Sequence, residues 1–230
     1  MACTNNTATG QLELLHTYSI DVPEPSGLAI NSSGDILYTV SDETNKVYKI
    51  TTTGQLLQTL NFVGNDLEGV CNYTPGKLLL VEERTKNIIE LTIATNTYTT
   101  HTMIYDNEEL NAGIEGVTYN SNTQNIYFLN EKNPEKLFQL NTDFTITSDY
   151  NLNFANDYSG MFYESASNLL WIVSDESQSI NKCTLDGTLI ESYYINVQKP
   201  EGIAIANDQI YIVSDSQERL YVFQKPVNNL

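Results

Sequence analysis

Eight carboxylates in this sequence recur at two fixed places of a repeat, and their number and spacing are what could do chemistry. Three are glutamates followed directly by glycine, Glu68-Gly69, Glu115-Gly116 and Glu201-Gly202, while Ser26-Gly27 and Ser159-Gly160 stand at the same point of two further units. The other five, Asp42, Glu83, Glu131, Asp175 and Asp215, come 13 to 15 residues after each glycine. Two carboxylates about 6 Å apart repel by roughly 3 kcal/mol at an effective dielectric of about 20. Eight that converge need compensation from a cation, from retained protons, from backbone amides, or from Arg84 and Lys132, which directly follow two of them. Oxygen donors with no His or Cys nearby favour a hard cation, and loosely spaced ligands suit calcium better than magnesium. The candidate ligands are Glu68, Glu115, Glu201, Glu83 and Glu131; Asp42, Asp175, Asp215, Arg84 and Lys132 are candidates for the layer behind them. A structural alternative stays open, in which the later acids accept backbone hydrogen bonds from the turn that follows each of them.

The elements that must hold these residues repeat with them. The openings SGLAI, EGVCN, EGVTY, SGMFY and EGIAI are spaced by 42, 47, 44 and 42 residues, a period that belongs to β-propeller blades. Apolar residues alternate or form short β-branched and aromatic blocks between turns such as Ser33-Gly34-Asp35, Pro75-Gly76 and Asp186-Gly187, with no helical stripe. The first unit reads as strands over 27–30, 36–40, 46–50 and 56–62, and the fourth as strands over 161–163, 169–173, 179–185 and 189–195. The fifth has three strands, over 202–206, 209–213 and 219–223, and lacks an outer one. Residues 10–18, which read like 54–60, are expected to supply it and close the ring. The fold class is therefore all-β, a five-bladed propeller of four-stranded blades occupying residues 11–230 as one domain. In that geometry the residue before each glycine rims the channel mouth, and the later acid stands behind it.

Composition narrows the partners. With 29 acidic against 11 basic residues the net charge is −18, so a phosphate backbone would be repelled and nucleic acid is excluded as a partner. No apolar stretch approaches the roughly 20 residues of a membrane span. Three cysteines do not make a disulfide framework, with Cys71 and Cys183 in strand patterns. Residues 1–10 are expected to be flexible. Their Ala2-Cys3 pair and polar run resemble the start of a bacterial lipoprotein after signal-peptide removal, which leaves a lipid-anchored form and an ordinary flexible terminus both open.

The order Asp66-Leu67-Glu68-Gly69-Val70, Val81-Glu82-Glu83-Arg84 and Gly113-Ile114-Glu115-Gly116-Val117 resembles the SdiA-regulated family, relatives of NHL-repeat proteins, over about residues 12–225. The resemblance implies a five-bladed propeller with a calcium site, in the bacterial cell envelope and tethered to a membrane, here through Cys3. The family's Glu-Gly steps fall on Glu68, Glu115 and Glu201, while Ser26 and Ser159 break fivefold symmetry.

Function divides between a binding module, which takes a small molecule, glycan or protein at the acidic funnel, and a metal-dependent hydrolase of lactonase, phosphoesterase or glycosidase type. The two histidines, His16 and His101, fall in outer-strand positions, which argues against a histidine base at the channel. Two carboxylates suffice for a glycosidase, but Trp171 reads as core. Tyr73, Tyr119, Tyr158 and Tyr163 are the expected sugar platforms near the acidic mouth.

Overall fold

The structure, a computed structural model, describes residues 10–107 and 111–227. Cys3, and with it the expectation of a lipid anchor, lies outside the described residues.

Each unit folds as an antiparallel meander. Blade one is β3 (Pro25–Ile30), β4 (Ile36–Ser41), β5 (Lys46–Thr51) and β6 (Leu56–Val63). Blade two is β7 (Leu67–Asn72), β8 (Lys77–Glu82), β9 (Asn87–Thr92) and β10 (Thr97–Thr102). Blade three is β11 (Ile114–Asn120), β12 (Asn125–Asn130), β13 (Lys136–Leu140) and β14 (Ile146–Asn151). Blade four is β15 (Gly160–Glu164), β16 (Leu169–Ser174), β17 (Ser179–Cys183) and β18 (Leu189–Tyr194). Blade five joins β19 (Pro200–Ala206), β20 (Gln209–Ser214) and β21 (Arg219–Gln224) to β2 (Leu14–Ser19) from the other end of the chain.

The closure expected from sequence is thus present, with one refinement. Leu14–Ser19 pairs antiparallel with β21, but Gly10 and Gln11 form a separate short strand, β1, which lies parallel on β18 of blade four. Between them Leu12 is buried in the core shared by blades four and five. The chain start therefore staples two blades together and covers sheet edges that would otherwise be open to pairing.

Alternation puts the apolar faces of each blade against its neighbours, and the core is five clusters, one between each adjacent pair of blades. Trp171, fully buried between blades four and five, is core as its sequence context suggests. His16 and His101 lie on the outermost strands β2 and β10, and His101 stacks on Phe144 at 3.6 Å. Cys71 and Cys183 are buried free thiols.

The inner strands approach so closely that only glycine fits at one level of the ring. A methyl group on Gly27 would stand 2.6 Å from the Gly69 Cα, one on Gly69 2.5 Å from the Glu115 carbonyl oxygen, and one on Gly202 2.5 Å from the Leu28 nitrogen. Gly116 faces Met161, and Gly160 faces the Glu201 carbonyl. Each of the five repeat glycines thus meets the next blade in cyclic order. The void at this level is about 10 Å³, at the limit of what holds one water. The channel is therefore pinched into two separate chambers.

Candidate metal centre

The front glutamates are aimed by backbone irregularity. Leu67 pairs with Glu82 and Gly69 with Val81, so Glu68 is an extra residue in the ladder; Glu115 and Glu201 are extra residues in the same sense on β11 and β19. Such bulges bend a strand and re-aim the inserted side chain, here into the mouth above the glycine ring. Two residues earlier the chain turns through an unusual conformation in three blades, with φ of +39° at Glu24, +61° at Asp66 and +43° at Lys199. Left-handed backbone costs a non-glycine residue roughly 1–2 kcal/mol, and such strain collects at functional sites.

The funnel above the ring has a volume of about 250 Å³. Its walls carry Glu68, Glu115 and Glu201 with Asp42, Glu131, Asp175 and Asp215 from the later column, so seven of the eight repeated acids converge there. The eighth, Glu83, is buried beside it, and its carboxylate accepts a hydrogen bond from the Gly113 amide at 2.9 Å. Two trios bring oxygens within 4.8 Å of one another: Asp66, Glu68 and Glu83, and then Glu83, Glu115 and Glu131. Glu83 belongs to both. Glu201 shares the funnel but neither trio, although its charge acts on Glu115.

Lys132 meets Glu131 at 3.1 Å and Glu176 at 2.6 Å, and Arg84 meets Asp66 at 3.2 Å and the Asn111 side chain at 3.1 Å. Both basic residues therefore neutralise part of the cluster, as their positions in the sequence suggest. Lys199, unnoticed in the sequence, pairs with Asp215 at 2.7 Å.

Asp66 and Asp157 are the functional candidates that sequence reasoning missed. Together with Glu24, Gly113 and Lys199 they form a third repeated column, two residues before the front residue of each blade. That constant offset was the available signal, masked by the mixture of residue types. Asp157 is buried and accepts hydrogen bonds from the Ser174 hydroxyl and the Glu176 amide.

Among the later acids only Asp42 accepts a backbone hydrogen bond from the turn that follows it, from the Glu43 amide at 2.9 Å; Asp175 accepts from the Gln178 side chain of its turn at 3.2 Å. In blades one and four the residue just before the acid does that work. Ser41 and Ser174 accept from the amides of Thr44 and Ser177, both at 3.1 Å. Asn130 reaches the carbonyls of Ala112, Lys132 and Pro134, and Glu82 accepts from the Asn65 amide and from Thr85 and Asn87. The repeated acids are thereby left facing one another.

Burial and mutual repulsion make several of them reluctant to ionise. Burial first, then Asp42, Glu83 and Asp66, pushes Glu68 up to about 8. Burial, with Asp66 and Glu131, takes Glu83 to about 7 against the pull of the Gly113 amide. Burial followed by Glu24 and Asp215 raises Asp42 to about 6. Glu115 and Glu201 lie well above the carboxylate range, through burial and then Glu68. Oxygen-only donors, held close and reluctant to ionise alone, fit a hard divalent cation. One further observation agrees: Asp66 Oδ2 is buried without a hydrogen-bond donor, and its Arg84 contact is ionic only.

The tyrosines depart from expectation. Tyr158 is fully buried, and its hydroxyl accepts from the Phe154 and Ala155 amides. Tyr73, Tyr119 and Tyr163 line the chamber on the far side of the glycine ring, away from the acids. Inner strands run from the acidic mouth to the opposite one, and at about 3.3 Å per residue Tyr73 emerges some 13 Å beyond Gly69. No aromatic residue lines the acidic funnel among the described residues.

Comparison with known proteins agrees with this architecture. A family model described as SdiA-regulated matches residues 22–224. The chain belongs to the SdiA-regulated family. Among solved structures, this SdiA-regulated chain is similar to glutaminyl cyclase of Myxococcus xanthus, with a TM-score of 0.70, 11% identity, and 93% of this chain and 97% of that one covered. It is also similar to a luciferin-regenerating enzyme, with a TM-score of 0.59, 12% identity and coverage of 93% and 96%. A streptogramin B lyase gives a TM-score of 0.55 and 18% identity, with 93% of this chain and 74% of that one covered. At these identities the likeness is one of fold.

Proposed function

We propose that this SdiA-regulated propeller is a calcium-binding protein that presents a metal-filled funnel to an oxygen-bearing small molecule, glycan or protein. The observation that carries the reading is the pair of oxygen trios sharing Glu83. Asp66, Glu68, Glu83, Glu115 and Glu131 would hold the ion, with Glu201 opposite them and Asp42, Asp157, Asp175 and Asp215 around them. Bound there, calcium would neutralise the carboxylates and offer open coordination positions to a ligand's oxygens. The protein's own part is to keep the donors together on rigid bulges and to exclude competing bases, since neither histidine lines the funnel. Calcium titration followed by thermal unfolding tests it: saturating calcium raises the melting temperature of the wild type and not that of Glu68→Gln combined with Glu115→Gln. No rise in the wild type refutes the metal.

A hydrolase is the second reading, favoured by one observation. Glu83, held near 7, has the acidity a general acid or base needs at neutral pH. The similar folds named above include enzymes, which makes a substrate screen worthwhile without selecting a reaction. Turnover of a lactone, phosphoester or glycoside that vanishes in Glu83→Gln at unchanged melting temperature would make this the better reading. In both readings the protein resides in the bacterial cell envelope, held by a lipid on Cys3, a proposal supported by the Ala2-Cys3 pair and the family resemblance. Fatty-acid labelling lost in Cys3→Ser tests it.

A further inference from the structure

The chamber below the glycine ring has a volume of about 260 Å³, close to that of the acidic funnel, yet its chemistry is the reverse. In a chain of net charge −18, no Asp, Glu, Lys, Arg or His lines it. Its floor is Leu28, Met161 and Phe162, and Tyr73, Tyr119 and Tyr163 stand around them. Phe162 is only partly buried although it sits on an inner strand, and Tyr73 and Tyr119 meet edge to face at 4.8 Å. Around the opening, three exposed serines, Ser32, Ser121 and Ser165, follow the inner strands of blades one, three and four. The hydroxyls of these serines and of Tyr73 and Tyr119 make no hydrogen bond with the described residues, whereas that of Tyr163 is engaged by Asn122 and Asn168.

This combination restricts the occupant. A charged ligand would be desolvated without a partner of opposite sign, which is costly. A bare hydrocarbon would cover the aromatic residues but leave several hydroxyls without water or a partner. A ring with an apolar face and hydroxyls at its edge satisfies both sets at once, and the volume, slightly below that of drug-sized pockets, suits a single ring. We propose that this chamber is a binding site for an uncharged pyranose sugar, separate from the acidic funnel and isolated from it by the five glycines. The site has no carboxylate within its walls, so the sugar is bound and not cleaved there.

The test uses the whole chain and methyl glycosides of glucose, galactose, mannose and N-acetylglucosamine, followed by ligand-observed NMR and calorimetry. At least one glycoside binds with a dissociation constant in the millimolar range or tighter. Glucuronate and cyclohexanol, which change the charge or remove the hydroxyls of a similar ring, bind at least about tenfold more weakly, a difference of roughly 1.4 kcal/mol. Tyr119→Ala weakens binding about tenfold. Because that residue also packs on Tyr73, Ser121→Trp is the second variant: it fills the opening from an exposed position, abolishes sugar binding and leaves both the melting temperature and its response to calcium unchanged. The proposal fails if no glycoside binds at tens of millimolar, if glucuronate or cyclohexanol binds as well, or if both variants bind like the wild type.

Discussion

Stability without metal should fall as pH rises, and calcium should reverse the fall. Glu68 is held up to about 8 in the folded protein against an ordinary value of 4.5. Between those limits the folded chain keeps a proton that the unfolded chain has lost, so this carboxyl favours folding at pH 5 and ceases to do so as pH climbs through 8. At about 1.4 kcal/mol per pH unit of separation, Glu68 alone accounts for an upper limit of about 4–5 kcal/mol. Glu83, Glu115 and Glu201 shift in the same direction, but the same mutual repulsion acts on all of them, so their contributions are not summed. For a chain of this size 1 kcal/mol moves the melting temperature by roughly 2–4 °C, which puts the expected drop between pH 5 and 8.5 near 10 °C in a chelator.

Scanning calorimetry at several pH values, with chelator and with calcium, measures this. Calcium at about 100 times its dissociation constant adds about 2.7 kcal/mol and recovers much of the loss at pH 8.5. Its effect is smaller at pH 5, where it must displace protons to bind. Glu68→Gln removes one titrating member and flattens the chelator profile. Overall acidity, with a net charge of −18, also disfavours the compact state at high pH, which is why the variant is the decisive comparison. A chelator profile equally steep in Glu68→Gln, or a calcium shift of the same size at pH 5 and 8.5, refutes the reasoning.

Three further outcomes follow from the ring. Gly160→Ala puts a methyl group against the Glu201 carbonyl and should cost several kcal/mol, more than the usual 1–3 kcal/mol of overpacking because backbone cannot step aside; Gly10→Ala, whose nearest neighbour is 3.9 Å away, should melt like the wild type. Deleting residues 1–22 removes β1 and β2 and should give an aggregating or unfolded protein, and a truncated form with the full-length melting temperature would disprove the closure. Asn130→Ala strips the donors and acceptors that tie Ala112, Lys132, Pro134, Tyr105 and Asn107 together, and should lower stability by about 2–4 kcal/mol in denaturant titration while weakening calcium through the adjacent Glu131.

The blades were legible in the sequence because their signals are local. Gly34, Gly54, Gly76 and Gly187 take positive φ in the turns, and short β-branched and aromatic runs such as Ile36–Ser41 declare strands buried on both faces. The funnel was legible where its column was chemically uniform, as with the later acids. It was opaque where a column mixes Glu24, Asp66, Gly113, Asp157 and Lys199, because what repeats there is a backbone position and the side chains differ. The structural work of Ser41, Glu82, Asn130, Ser174 and Ser214 was hidden for the same reason: a hydroxyl, an amide and a carboxylate can each satisfy backbone groups of the nearby loops, and only their neighbours show that they do. Tyr73, Tyr119 and Tyr163 were assigned to the wrong mouth because side-chain type says nothing about distance along a strand.

The glycines and the acids are cause and consequence. A Cβ at the ring would force neighbouring inner strands apart, so glycine sets how near one blade comes to the next. The bulged glutamates stand one residue before those glycines, so the same close approach fixes how near the carboxylates lie. At an effective dielectric of about 20, a separation of 4.8 Å corresponds to roughly 3.5 kcal/mol of repulsion between two ionised groups, enough to hold a carboxyl protonated near neutral pH. Tight closure thus creates the electrostatic demand that a cation at the funnel would meet. It also seals the floor of that funnel, which leaves the aromatic chamber beneath to a different, uncharged chemistry.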